Sequence, residues 1–203
     1  MINCLYEPFR HWSMMGAVYL ISDTHFDDSD TKLMDENWPE PEEYIRFLKK
    51  IVTQNDTIVH LGDVGNPAYM DELPGYKVLI LGNHDSRKAC QNYFHEIYDG
   101  PLFISRKIIL SHEPLPVECA VNIHGHSHRE TFSGLRFTGE NAAHVNLAGD
   151  VCGYVPMNLG KEIKRGLLSG IRDIHRATID KAVNAKDEFL DFGIFGDDEI
   201  GAD

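Results

Sequence analysis

Five times along this chain an apolar run of strand length delivers a polar residue that can bind a metal. The runs are Ala17 to Ile21, Thr57 to Leu61, Lys77 to Leu81, Lys107 to Leu110 and Val121 to Ile123. After them come Asp23-Thr24-His25, Gly62-Asp63, Gly82-Asn83-His84-Asp85, His112, and Gly125-His126-Ser127-His128. Strands that repeatedly hand over a polar group at the same end build a site along one rim of a sheet. Side chains at i and i+2 of an extended chain share a face, so this spacing predicts that Asp23 with His25, and His126 with His128, each grip one ion. The donors are carboxylate, imidazole and amide, with no cysteine among them. That mixture suits manganese, iron, zinc, nickel or cobalt. It is too rich in nitrogen for calcium or magnesium alone and lacks the sulfur of a thiolate zinc site.

The ordered string D-x-H, G-D, G-N-H-D, H, G-H-x-H resembles the calcineurin-like metallophosphoesterase superfamily, in its small bacterial and phage-type members. The likeness spans Asp23 to His128 and extends through Asn146-Leu147 and Tyr154-Val155-Pro156. The resemblance implies a four-layer αββα sandwich and two divalent metal ions, manganese first among those named. It assigns Asp23, His25, Asp63 and His128 to one ion. Asp63, Asn83, His112 and His126 go to the other, with Asp63 bridging. His84 matches the catalytic histidine and Asp85 the acid that orients it. Arg87 and Arg129, beside the third and fifth motifs, are candidate phosphate contacts.

Two such ions clamp a phosphate and lower the pKa of a shared water toward neutrality, giving a hydroxide nucleophile. A positioned acid can protonate the departing alkoxide. The expected activity is therefore metal-dependent phosphodiester hydrolysis. The alternatives are a phosphomonoesterase of small molecules and a non-catalytic scaffold of the same fold. The run after Gly62-Asp63 is Val64-Gly65-Asn66, without the D-R-G arginine that the protein Ser/Thr phosphatases use to grip phosphate. No metal-binding tyrosine of the purple acid phosphatase kind follows it. The short intervals between motifs leave no room for a large lid or cap.

The chain has 203 residues, 42% of them hydrophobic, enough for one substantial core. Residues 17–185 read as the catalytic domain. Residues 1–16 read as an N-terminal extension, either an ordered arm or the product of an upstream start. Residues 186–203 read as a solvated tail with seven acids against one lysine, in which Phe189, Leu190, Phe192, Ile194 and Phe195 could dock on the body. The formal net charge of −13 opposes a long nucleic acid as partner, so a small phosphorylated substrate is expected, a nucleotide among the options. Cys4, Cys90, Cys119 and Cys152 are scattered without C-x-x-C spacing, and no run is long enough to span a membrane. Together these suggest the cytoplasm.

Amphipathic helices are expected over Pro41 to Gln54, Ser86 to His95, and about Leu167 to Ala185. His60 reads as a structural core histidine, and His124 lies outside the ligand pattern.

Overall fold

The computed structural model describes residues 1–117, 119–129, 137–138, 143–176 and 178–179. Among the described residues ten strands form two five-stranded sheets. They are β1 (Val18–Ile21), β2 (Thr57–His60), β3 (Tyr76–Ile80), β4 (Glu96–Tyr98), β5 (Leu102–Ser105), β6 (Ile108–Leu110), β7 (Val121–His124), β8 (Phe137–Thr138), β9 (Ala143–Asn146) and β10 (Met157–Asn158). The first sheet runs β10-β1-β2-β3-β4 and the second β5-β6-β7-β9-β8. Strands β1 to β4 are parallel, as are β6, β7 and β9, while β10, β5 and β8 join antiparallel at the edges.

Period-two alternation decides which residues face where. In β1, β2 and β3, Val18, Leu20, Val59, Val78 and Ile80 enter the core between the sheets, where Ile104, Ile108, Leu110, Val121 and Ile123 meet them. The intervening Ile21, Ile58 and Leu79 face outward into a second apolar layer with Tyr44, Ile45 and Leu48. A parallel sheet that is apolar on both faces must be covered on both. The result is the metallophosphoesterase-type α/β sandwich, with the two sheets face to face and a helix on the outer face of the first.

That helix is Pro41–Leu48, opened by Pro41 with Glu42 and Glu43 in its first turn, where acids favour the dipole. It ends six residues short of the expected Gln54 and closes in turns at Ile51 and Val52. The second expected helix shrinks to Arg87–Cys90. Residues 93–95 are drawn instead to the first sheet. The His95 amide donates to the Lys77 carbonyl, its ring accepts from the Lys77 amide, and it stacks on Tyr76 at 4.4 Å.

The third expected helix does not begin at Leu167, and a helix that was not expected precedes it: Leu159–Lys164, its first turn capped by Asn158 Oδ1 accepting from the Lys161 amide at 3.0 Å. Gly166 and Gly170, at φ +101° and +71°, break the chain before helical turns resume at residue 174. Residues 180–185 and the acidic tail 186–203, with its Phe189, Leu190, Phe192, Ile194 and Phe195, lie outside the described residues.

Residues 1–16 pack against the body. Leu5 pairs with Ser105 across a β-bridge, and a 3-10 helix, Glu7–Ser13, buries Trp12 in the inter-sheet core. The Trp12 carbonyl accepts from Thr57 Oγ1 at 2.8 Å. No helix among the described residues is long and apolar enough to cross a membrane.

Candidate metal centre

Parallel strands deliver their C-terminal ends to one rim, where open α/β sheets place their ligands. The loops after β1, β2 and β3 arrive from one sheet and those after β6 and β7 from the other. Asp23, His25 and His128 bring one ligand atom each within 4.8 Å of the others, and so do Asp63, His112 and His126. The Asp63 carboxylate stands between the groups, its Oδ2 lying 3.8 Å from His25 Nε2 and 3.3 Å from His112 Nε2. Asn83 joins the second group, with Oδ1 at 2.9 Å from His112 Nε2 and 3.1 Å from His126 Nδ1. All seven expected metal residues therefore meet at one place.

The i, i+2 expectation fails in two ways: His126 and His128 fall in different groups, and the local backbone is not the one expected. Asp23, His25, Asp63 and His126 have φ of 52°, 43°, 56° and 63°, in the left-handed region, so the chain here is not extended. Such a conformation costs about 1–3 kcal/mol per residue and persists only where its surroundings enforce it. Here they do so through backbone bonds. The amides of Asp23 and His25 donate to the carbonyls of Gly62 and Asp63, and the His126 amide donates to the Asp23 carboxylate at 3.0 Å. The loops also approach closely. A Cβ on Gly82 would lie 2.2 Å from Asp63 Oδ1, and one on Gly125 would lie 2.1 Å from Asp23 Oδ2.

The donor set fits a cation. His112 Nδ1–H donates to the Leu61 carbonyl at 2.9 Å, which leaves Nε2 as an acceptor facing Asp63, Asn83 Oδ1 and His126 Nδ1. Atoms of this kind so close together need a cation, or protons on the imidazoles, among them. In the first group His25 Nε2 is buried without a hydrogen-bond partner, while its Nδ1 lies 3.3 Å from Asp28 Oδ2. His128 Nδ1–H donates to Asp150 at 2.8 Å and turns Nε2 toward Asp23.

The charges of the site are consistent with this. Burial raises the Asp23 carboxyl despite its hydrogen bonds and nearby imidazoles. Burial also pushes Asp63 up, but the His112 hydrogen bond and charge, with the His84 amide at 3.0 Å, outweigh it and bring it down to about 2. Burial lowers His112 and His128, yet bonds to Asp63 and Asp150 and the Asp23 charge leave both above the usual imidazole range. The carboxylates of the site favour a cation among them or, failing one, protons on the His112 and His128 imidazoles.

His84 is exposed at the rim, its ring 5.8 Å from that of His25. Among the described residues Asp85 makes no hydrogen bond to it. Asp85 Oδ2 accepts from the amides of Asp63 (2.8 Å) and Gly82 (2.9 Å), and Oδ1 from Val64 (2.9 Å), so both oxygens tie the two loops together. The arginines are also engaged within the protein. Arg87 forks onto Asp99 at 2.8 and 3.0 Å, and Arg129 reaches Asp35 at 3.2 Å and the Asp150 carbonyl at 2.7 Å. His60 is a core residue, its Nδ1 accepting from the Gly62 amide and its Nε2 3.0 Å from Thr24 Oγ1. Burial lowers it to about 4. His124 is likewise buried and lowered to about 4 by burial, its Nδ1–H donating to the Gly125 carbonyl.

Sequence reasoning missed Asp150 and Trp38. Asp150 follows β9 in a single helical turn, Gly149–Cys152, 22 residues beyond His128, between the matched Asn146-Leu147 and Tyr154-Val155-Pro156 but part of neither. Trp38 walls the first group, 5.8 Å from the His25 ring and 6.0 Å from that of His128. The one local signal was Asp150 standing after an apolar strand, as Asp23 and Asp63 do.

A fold of two such sheets with a mixed imidazole–carboxylate rim defines a metal-dependent phosphohydrolase. Residues 16–141 match the calcineurin-like phosphoesterase family, and the chain belongs to it. It is 29% identical over 168 residues to the uncharacterized protein MJ1445 of Methanocaldococcus jannaschii, covering 74% of this chain and 91% of that one. Among solved structures it is similar to the protein of unknown function AQ665 from Aquifex aeolicus. The TM-score is 0.57 with 26% identity, over 73% of this chain and 98% of that one. The nuclease MPE of Pseudomonas putida overlays more loosely, with a TM-score of 0.39 and 19% identity over 55% of this chain and 61% of that one, and has no bearing on function here.

Proposed function

We propose that this phosphoesterase hydrolyses a phosphodiester with two divalent ions. Asp23, His25, Asp63 and His128 would hold one ion, Asp63, Asn83, His112 and His126 the other, and manganese is the first choice ahead of iron, zinc, nickel or cobalt. Bound divalent ions supply Lewis acidity at the phosphoryl oxygens and lower the pKa of a water toward neutrality.

The observation that carries the diester reading is a cleft on each side of the ligand set. One, of about 290 Å³, is lined by Asn83, His112, Pro101, Glu113 and Leu115. The other, of about 240 Å³, is lined by His25, Asp28, Lys32, Trp38 and Glu40. A diester has two arms to seat, a monoester one. A monoester dianion would also gain from a free guanidinium, and both Arg87 and Arg129 are already held by carboxylates. In this reading exposed His84 would give a proton to the leaving alkoxide. That role, with the full ligand set, favours catalysis over a binding scaffold, which needs neither.

The net charge of −13 favours small substrates over long nucleic acid. Cys4, Cys90 and Cys152 form no disulfide, which suits the cytoplasm. The division into an arm (1–16), a catalytic domain (17–185) and an acidic tail (186–203) belongs to the same proposal.

The test is kcat/KM for bis-nitrophenyl phosphate against nitrophenyl phosphate, at saturating manganese and across pH. The diester should win. A clear preference for the monoester at every pH would hand the protein to the phosphomonoesterase reading.

A further inference from the structure

The two ligand groups are supported differently from behind. In the second group, His112 Nδ1–H donates to a neutral carbonyl, Leu61, at 2.9 Å. His126 is exposed, and its Nε2 has no partner among the described residues. In the first group both imidazoles are backed by carboxylates. Asp28 is the weaker of these, 3.3 Å from His25 Nδ1 and 37% exposed, so water screens it. Asp150 is the stronger, 2.8 Å from His128 Nδ1 and 3% exposed.

Asp150 cannot turn away. Its Oδ1 accepts from His128 Nδ1–H, and its Oδ2 from the Arg129 amide at 2.8 Å. Arg129 Nη2 donates to the Asp150 carbonyl and to Asp35 Oδ2, which also accepts from the Tyr154 hydroxyl at 2.9 Å. The carboxylate is thus clamped between the loop after β7 and the turn after β9. A carboxylate behind a ligating imidazole fixes the tautomer and makes the metal-facing nitrogen more basic. Loss of such a partner usually weakens metal binding by about 10–100-fold.

We propose that Asp150 is a positioning residue that holds His128 as the Nδ1–H tautomer and makes the Asp23–His25–His128 site the tighter of the two metal sites. Burial acts more weakly in the same direction: each group has two buried ligands, Asp23 and His25 against Asp63 and His112, but the rest of the first group, His128, is only partly exposed while Asn83 and His126 are on the surface. The inference rests on the two-ion reading above.

Calorimetric titration of the chelated full-length protein with Mn²⁺ tests it. The wild type should show two classes of site, one at least about tenfold tighter, as loss of a single carboxylate partner would suggest. His128→Gln should remove the tight class and His126→Gln the weak one, which assigns the classes without touching Asp150. Asp150→Asn should weaken the tight class by about 10–100-fold and leave the other unmoved. An amide can accept from the Arg129 N–H or from His128 Nδ1–H, but its NH₂ then faces the remaining donor.

A merely structural residue would lower the urea midpoint of the chelated protein without changing Mn²⁺ affinity in the folded state. Two sites of equal affinity, a tight class that survives His128→Gln, or one unmoved by Asp150→Asn would each overturn the proposal while the two-ion reading stands. A single ion per chain would instead overturn the two-ion reading and the ranking of sites with it.

Discussion

Replacing Asp85 separates two roles for one carboxylate. If it acted by orienting His84, its loss would lower kcat and leave the fold intact. The geometry says otherwise, because both oxygens serve backbone amides at Asp63, Val64 and Gly82. Hydrogen bonds to a charged acceptor are worth about 1.5–3 kcal/mol each, and buried donors left unpaired cost about 1–3 kcal/mol. The Asp63 and Val64 amides belong to buried residues, whereas Gly82 is partly reached by water. Asp85→Ala should therefore destabilise the chelated protein by roughly 3–5 kcal/mol. For a chain of this size that is a fall in Tm on the order of 10 °C. Asp85→Asn keeps one acceptor oxygen and turns an NH₂ group toward the remaining amide, so about half that loss is expected. Melting followed by circular dichroism with chelator present gives the stability, and kcat at saturating Mn²⁺ is measured separately. In a double-mutant cycle with His84→Ala the effects on kcat should be close to additive. An unchanged Tm together with strong coupling to His84 would refute this account and restore Asp85 as the orienting acid.

Asp63→Ala should abolish activity and empty both metal sites, read as metal content per chain after dialysis; retention of either ion at wild-type affinity would count against a shared ligand. His84→Ala should keep the metal content and lower kcat by about 10²–10⁴-fold, less for a nitrophenolate leaving group than for an alkoxide; loss of metal would show the assignment to be wrong. Trp12→Ala should cost about 3–5 kcal/mol in urea unfolding, as for other buried aromatics, because Trp12 is 1% exposed in the inter-sheet core. His60, lowered to about 4 by burial from an ordinary 6.5, binds a proton in the unfolded chain at pH values where the folded chain leaves it neutral. Stability of the chelated protein should thus fall as pH drops from 6.5 to 4, and His60→Asn should shallow that slope; an identical slope in the variant would remove His60 from the explanation.

The rim of the candidate site was legible because each proposed metal residue follows an apolar run of strand length, a signal that needs no tertiary information. The backbone after those runs was not. Spacing alone suggested an extended Asp23–His25 pair, whereas bonds from Gly62 and Asp63, nearly forty residues away, hold both residues left-handed. Asp85 stood next to His84 in sequence, and adjacency gave no hint that its oxygens turn back to Val64 and Asp63. Asp150 depends wholly on the return of the chain after β9. The helices failed at their ends for a similar reason. Tyr76 and Lys77 pull His95 out of a helix, and Gly166 and Gly170, already a weakness at the start of the third expected helix, delay it to residue 174.

The close approaches at Gly82 and Gly125 fix a dimension of the catalyst. At both points the loops meet with no room for even a methyl group. Gly82 lies against Asp63, and Gly125 against Ser22 and Asp23. How near the Asn83 loop comes to Asp63, and the His126 loop to Asp23, is thus set by bare main chain at a glycine. Metals of different radius would have to adapt to that gauge. A methyl group at position 82 or 125 would act as a spacer, pushing apart loops whose own ligand chemistry was left intact.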